Sequence, residues 1–100
     1  MPAEEERVLK AKVDHPVIIT LPVNKTTGFS WEIDSCDPML KCQQLTYRRH
    51  LGGLGAGGTQ RFELTALQAG EFEIRFQLKR LWETKAREVR TYRIAVSEQR

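Results

Sequence analysis

Apolar and polar residues alternate with period two along most of this chain, the pattern of strands that face a core on one side and water on the other. Val17, Ile19 and Leu21 alternate after His15-Pro16. Phe29, Trp31 and Ile33 follow Gly28, and Leu45 and Tyr47 alternate after Lys41. Phe62, Leu64 and Ala66 follow Gly58. The clearest run is Phe72, Ile74, Phe76 and Leu78, with Glu71, Glu73, Arg75, Gln77 and Lys79 on the opposite face. Tyr92, Ile94 and Val96 close the set, and Leu9, Ala11 and Val13 suggest a first strand. No segment has a helical period. Ser35-Cys36-Asp37-Pro38-Met39-Leu40 has room for one short helical turn, with Asp37 before Pro38 as its start signal. Ala69-Gly70, between two alternating runs, predicts a tight hairpin turn.

About seven short strands in 100 residues predict an all-β fold, an immunoglobulin-like antiparallel β-sandwich with Trp31 in its core. Strand parity then places the connections. Two strands, over 29–35 and 42–49, separate the Asn24-Lys25-Thr26-Thr27-Gly28 loop from the glycine-rich loop 51–58. Two more, over 59–67 and 71–79, separate that loop from the one beginning Arg80-Leu81-Trp82. Antiparallel neighbours reverse the chain each time, so an even count returns it to the same end. All three loops are expected at one end, and the Cys36–Cys42 and Ala69-Gly70 turns at the other.

The length fits one domain, residues 1–100, able to bury a core without metal or disulfide staples. No apolar run approaches the ~18 residues of a membrane span. The start Met1-Pro2-Ala3-Glu4-Glu5-Glu6-Arg7 lacks the basic and apolar stretches of a secretory signal, so the expected location is the cytoplasm, with a vesicular or secreted destination needing another route. The net charge of +3 is modest, and Glu83, Glu88 and Glu98 interrupt the late basic residues. The pattern is that of a solvated face, and no nucleic-acid or membrane partner is expected. Cys36 and Cys42, with His15 and His50, have no metal-ligand spacing. The cysteines read as free thiols, although an oxidising compartment would permit a disulfide. No cofactor is expected, and the chain is expected to be a monomer when free.

Gly53-Leu54-Gly55-Ala56-Gly57-Gly58 matches the letters of a dinucleotide fingerprint, but a strand rather than a helix follows it and no Lys-Ser/Thr is present. Nucleotide binding is rejected on both grounds. The segment reads either as a flexible connection or as a backbone that another chain can approach closely. Asn24 and Gly28 have turn chemistry, with Gly28 suited to positive φ. Trp82 continues the parity of the core face, yet the strand is ending and Arg80 interrupts that face. An exposed indole beside an arginine at a loop mouth is the preferred reading, and such a pair suits a binding hot spot. No carboxylate pair, metal set or catalytic triad emerges, so the chain is not expected to be an enzyme.

Together the three loops resemble the chagasin family of protein inhibitors of papain-like cysteine proteases. The family pattern Asn-Pro-Thr-Thr-Gly, Gly-x-Gly-Gly and Arg-Pro-Trp/Phe is met here, in order, by Asn24-Lys25-Thr26-Thr27-Gly28, Gly55-Ala56-Gly57-Gly58 and Arg80-Leu81-Trp82. Lys25 and Leu81 replace the two prolines that would limit loop freedom. The resemblance implies a three-loop wedge. It would place Thr26 and Thr27 over the catalytic cysteine and histidine with Gly28 shaping the turn, Gly55, Ala56, Gly57 and Gly58 along the cleft by backbone pairing, and Arg80 and Trp82 on the far side, with Asn24, Phe29 and Leu54 as further contact residues. It further implies reversible, tight, competitive inhibition without a covalent bond. The alternative from the residues alone is an immunoglobulin-like protein- or carbohydrate-binding module without protease inhibition.

Overall fold

A computed structural model describes residues 3–24, 27–49 and 57–98, with the side chains of Ala3, Arg48 and Arg49 outside the description. Eight strands form two sheets: β1 Ala3–Lys12, β2 Val17–Val23, β3 Phe29–Cys36, β4 Leu40–Gln44, β5 Arg48–Arg49, β6 Gly58–Ala66, β7 Gly70–Arg80 and β8 Glu88–Ser97. One sheet has the order β1-β8-β7-β3 and the other β2-β6-β4, with β5 continuing along β6 beyond β4. The strand expected over 42–49 is thus present in two pieces on one neighbour, which gives the seven-strand sandwich.

The core lies between the sheets and follows the period-two register. Ile19 and Leu21 of β2, Phe62, Leu64 and Ala66 of β6, Ile74 and Phe76 of β7, and Tyr92, Ile94 and Val96 of β8 are all buried. Phe62 meets Phe76 across the two sheets with ring centroids 4.7 Å apart, and Phe76 meets Tyr92 edge-on at 5.8 Å. Each such buried side chain contributes roughly 1.5–3 kcal/mol. Trp31 is 2% exposed. Its indole Nε1 donates to the Pro22 carbonyl at 3.0 Å, so the one polar atom of the ring is satisfied inside.

Four features depart from the sequence expectation. First, β1 runs parallel to β8, from Ala3↔Glu88 to Lys12↔Ser97, so the sandwich is not wholly antiparallel. Second, Ala69-Gly70 is not a hairpin: β6 and β7 belong to different sheets, and Gly70, at φ 143°, turns the chain from one layer to the other. Third, no helical turn forms at 35–40; the Asp37 carbonyl accepts from Leu40 N at 3.0 Å and its carboxylate Oδ1 from Met39 N at 3.0 Å, closing a turn. Fourth, a bulge shifts the β3 register between Ile33 and Ser35 and turns Cys36 toward the core, while Ile33, still paired with Phe76 on this edge strand, is 38% exposed.

The connections fall as parity requires. Val23 and Arg49 both pair with Gly58, and Phe29 pairs with Arg80, at one end. At the other, Leu40 pairs with Ala66, Leu67 N donates to Met39 O at 2.9 Å, and Asp14 N donates to Ala66 O at 3.0 Å.

Candidate functional site

The loop after β2 is a closed turn. Thr27 donates both its amide (3.2 Å) and its hydroxyl (2.6 Å) to the Asn24 carbonyl. Gly28 follows at φ 85°, the left-handed region that glycine enters freely. A Cβ there would stand 2.9 Å from Cη2 of Trp82 and 3.8 Å from Cγ of Arg80. The glycine is therefore required for its backbone angle, and its missing side chain leaves the space in which the exposed indole lies. Thr26 and Lys25 lie outside the described residues.

The loop after β7 is built on Arg80 and Glu83. Glu83 N donates to Arg80 O at 3.0 Å, and Arg80 N donates back to the Glu83 carboxylate at 3.3 Å. Lys79 Nζ adds a bond to the Glu83 carbonyl at 3.3 Å. This compact turn presents Leu81 and Trp82, 92% and 72% exposed. Fully exposing a tryptophan forfeits much of the gain from burying it, so an indole held out on a hydrogen-bonded turn marks a surface for contact.

Arg80 joins the two loops. Its Nε donates to the Thr27 carbonyl at 3.1 Å, and its guanidinium lies 4.4 Å from the centroid of the Phe29 ring and 5.8 Å from that of Trp82. The Arg87 guanidinium also lies over Phe29, at 5.4 Å. Such contacts contribute roughly 0.5–1 kcal/mol each at exposed sites.

Of the glycine-rich loop, Leu54, Gly55 and Ala56 lie outside the described residues, as does His50. Gly57, at φ 76°, is its described end. A Cβ on it would meet the Val23 carbonyl at 3.4 Å and Asn24 at 3.8 Å, so this loop presses on the first. Gly58 is buried in β6 and paired on both sides, where it anchors the loop rather than offering a free backbone.

Asn24, Thr27, Gly28, Phe29, Gly57, Gly58, Arg80 and Trp82 are thus brought to one end. Reading the sequence did not single out Glu83, which closes the third loop, or Arg87, the second cation on Phe29. The Arg80-to-Glu83 spacing of a four-residue turn was the available signal for Glu83; none distinguished Arg87 from its basic neighbours. Gln60 was also missed. Among the described residues it is the fully buried polar one, and its amide spans the sandwich: Oε1 accepts from Trp31 N at 2.7 Å and Nε2 donates to Trp31 O at 3.1 Å. It completes the free edge of β3 two residues before the loop-bearing end.

Cys36 and Cys42 are free thiols at the far end. Burial pushes the Cys42 thiol up to about 11, with a smaller contribution from Cys36, and burial raises Cys36 as well. Both are protonated at neutral pH and poor nucleophiles. Among the described residues no group of His, Cys, Asp and Glu could hold a metal ion.

Residues 10–96 match the Chagasin family peptidase inhibitor I42. Amoebiasin-1 of Entamoeba histolytica is 34% identical over 82 residues, covering 81% of this chain and 79% of that protein. The cysteine protease inhibitor EhICP2 of Entamoeba histolytica has a similar fold, with TM-score 0.71 and 21% identity over 97% of this chain and all of that one. PbICP-C, solved in complex with falcipain-2, is also similar in fold, with TM-score 0.69 and 16% identity over 98% of this chain and 91% of that one.

Proposed function

The chain belongs to the chagasin family of peptidase inhibitors, and on that membership we propose that it is a reversible, tight-binding, competitive inhibitor of papain-like cysteine proteases that fills the active-site cleft with three loops. It is an inhibitor rather than an enzyme. The observation that carries the reading is the convergence of Thr27, Gly28, Gly57 and Trp82 on one surface, with the indole exposed.

The geometry suits blocking without cleavage. Papain-like proteases cut extended chains, whereas the turn at Thr27 is closed on Asn24 O and fixed at its ends by β2 and β3. Gly28 and Arg80 tie it to the third loop, so little conformational entropy remains to be lost on docking. Arg80, Gly28 and the indole here supply the restraint that prolines at positions 25 and 81 would give. With the thiols protonated at the opposite end, the inhibitor has no covalent route to the catalytic cysteine. An interface of ~1,600 Å² is ordinary for such a complex.

The test is titration of a papain-like protease, with a trypsin-like serine protease as control. The expected result is stoichiometric loss of papain-like activity, recovered on dilution as intact inhibitor. Loss of serine protease activity alone would refute the reading.

A further inference from the structure

The loop-bearing end concentrates positive charge that the rest of the molecule does not share. Its third loop, 80–87, holds three cations (Arg80, Lys85 and Arg87) and one carboxylate, Glu83, a formal +2. That loop alone accounts for +2 of the chain's net +3. The opposite end mixes Lys10, Lys12 and Lys41 with Asp14, Asp37, Glu71 and Glu98, three cations against four carboxylates.

Neutralisation differs as well. On the first sheet Arg93 pairs with Glu6 at 2.7 Å, Arg90 with Glu88 at 2.7 Å and Glu5 at 3.1 Å, and Lys79 with Glu32 at 3.3 Å. Among the described residues Arg80, Lys85 and Arg87 have no ion pair, and neither do Lys10, Lys12, Lys41, Arg61 and Arg75; what sets the tip apart is that three such cations share one short segment with a single carboxylate. The nearby carboxylates are engaged otherwise: Glu83 accepts from the Arg80 amide and Glu88 is held by Arg90. Arg80 and Arg87 are instead kept at the tip by the Phe29 ring. Paired charges cancel over a few ångströms, but unpaired cations project a field out to the Debye length, about 10 Å at 0.1 M salt.

We propose that the unpaired cations beside Trp82, chiefly Lys85 and Arg87, select papain-like proteases whose cleft border is acidic, by speeding association. This rests on the inhibitory reading above and adds to it the charge of the preferred target. The effect belongs in the association rate, because rim charges steer encounter while the indole and the closed turns set dissociation.

The experiment compares association rates over a range of ionic strength for the parent, K85E/R87E and K12E/K41E, against one papain-like protease with an acidic cleft border and one with a neutral border. The two double variants change net charge equally at opposite ends. At about 20 mM salt the tip reversal is expected to slow association with the acidic protease by roughly tenfold or more. The loss should shrink to within about twofold near 0.5 M, where the Debye length is only a few ångströms. K12E/K41E should associate like the parent, and K85Q/R87Q should fall between parent and reversal. Equal slowing by the two reversals, or no slowing by the tip reversal at low salt, would overturn the proposal while inhibition itself stood. Absence of inhibition by the parent at any salt would overturn both.

Discussion

The two ends of the sandwich turn the chain with different chemistry. At the end holding Asp14, Asp37 and Leu67 the connections are closed mainly by backbone bonds: Asp14 N to Ala66 O, Leu40 N to Asp37 O, Leu67 N to Met39 O. At the loop-bearing end much of the bracing comes from side chains, with the Arg80 guanidinium on Thr27 O and Phe29, and the Trp82 indole against Gly28. The first arrangement stabilises the fold and leaves nothing over. The second fixes a shape while leaving an indole and several cations facing outward. Stability and binding are therefore expected to separate under mutation, and each of the following changes tests that separation.

The largest effect should fall on stability alone. Gln60→Leu leaves the amide and carbonyl of Trp31 buried without partners, and each such group costs about 1–3 kcal/mol. Unfolding free energy should drop by about 2–4 kcal/mol in a denaturant titration, while inhibition by the fraction still folded stays close to the parent. A parallel loss of inhibition in the folded protein would show that the Gln60 bridge also shapes the loops, and the two ends would not be separable.

Trp82→Ala reverses the pattern. The indole is 72% exposed, so its loss should leave the melting temperature almost unchanged. As a hot-spot residue it should weaken inhibition by about 2–3 kcal/mol, mainly through faster dissociation. Unchanged dissociation would remove Trp82 from the contact surface.

Gly28→Ala should affect both properties by smaller amounts. A left-handed φ costs a residue with a Cβ about 1–2 kcal/mol, and the added methyl would meet the indole at 2.9 Å. Inhibition should weaken even though no contact atom has been removed, and Trp82 fluorescence should shift. If only stability changes, the indole has repacked and its position against Gly28 is incidental.

The far end offers a chemical contrast. With its thiol pushed up to about 11 against an ordinary value of 9.0, Cys42 should be alkylated about 100-fold more slowly at pH 8 than a model thiol. The sign for stability follows: burial favours the neutral thiol, so the folded state loses stability as pH rises from about 9 to about 11. Cys42→Ala should remove that part of the pH dependence. Alkylation of the folded protein should leave inhibition intact, since the residue is remote from the loops.

Much of this architecture was legible because a half-buried strand writes its two faces into alternate residues, as Phe72, Ile74 and Phe76 do against Glu71, Glu73 and Arg75. Parity alone then gathered the three loops. What stayed hidden depends on pairing between distant segments. A glycine turn that closes a hairpin and one that changes sheets have the same local chemistry, so Ala69-Gly70 was misread. The early part of β1, Glu4 to Val8, has little apolar alternation and is a strand because β8 offers it an edge. The bulge after Ile33 has no residue signature, since Asp34 is unremarkable in any strand. Gln60 sits in a core register, where a lone polar residue could as well have been an error of phase; its partner lies 29 positions away. At the site, the motif residues were visible one by one, but the Arg80 bridge between the first and third loops was not.

That bridge is tested by Arg80→Lys, the mildest change. Lysine keeps the charge, so association should match the parent across ionic strength. It lacks the planar fork that bonds Thr27 O and covers Phe29 together. The loss should be about 1 kcal/mol, read as roughly fivefold faster dissociation and as faster amide exchange in the loop after β2. Exchange is the sharper measurement, because an arginine that merely touched the protease would alter dissociation without loosening the free inhibitor. If exchange and dissociation both match the parent, Gly28 and Trp82 hold the first and third loops together unaided, and the tip owes its shape to a missing Cβ rather than to a guanidinium.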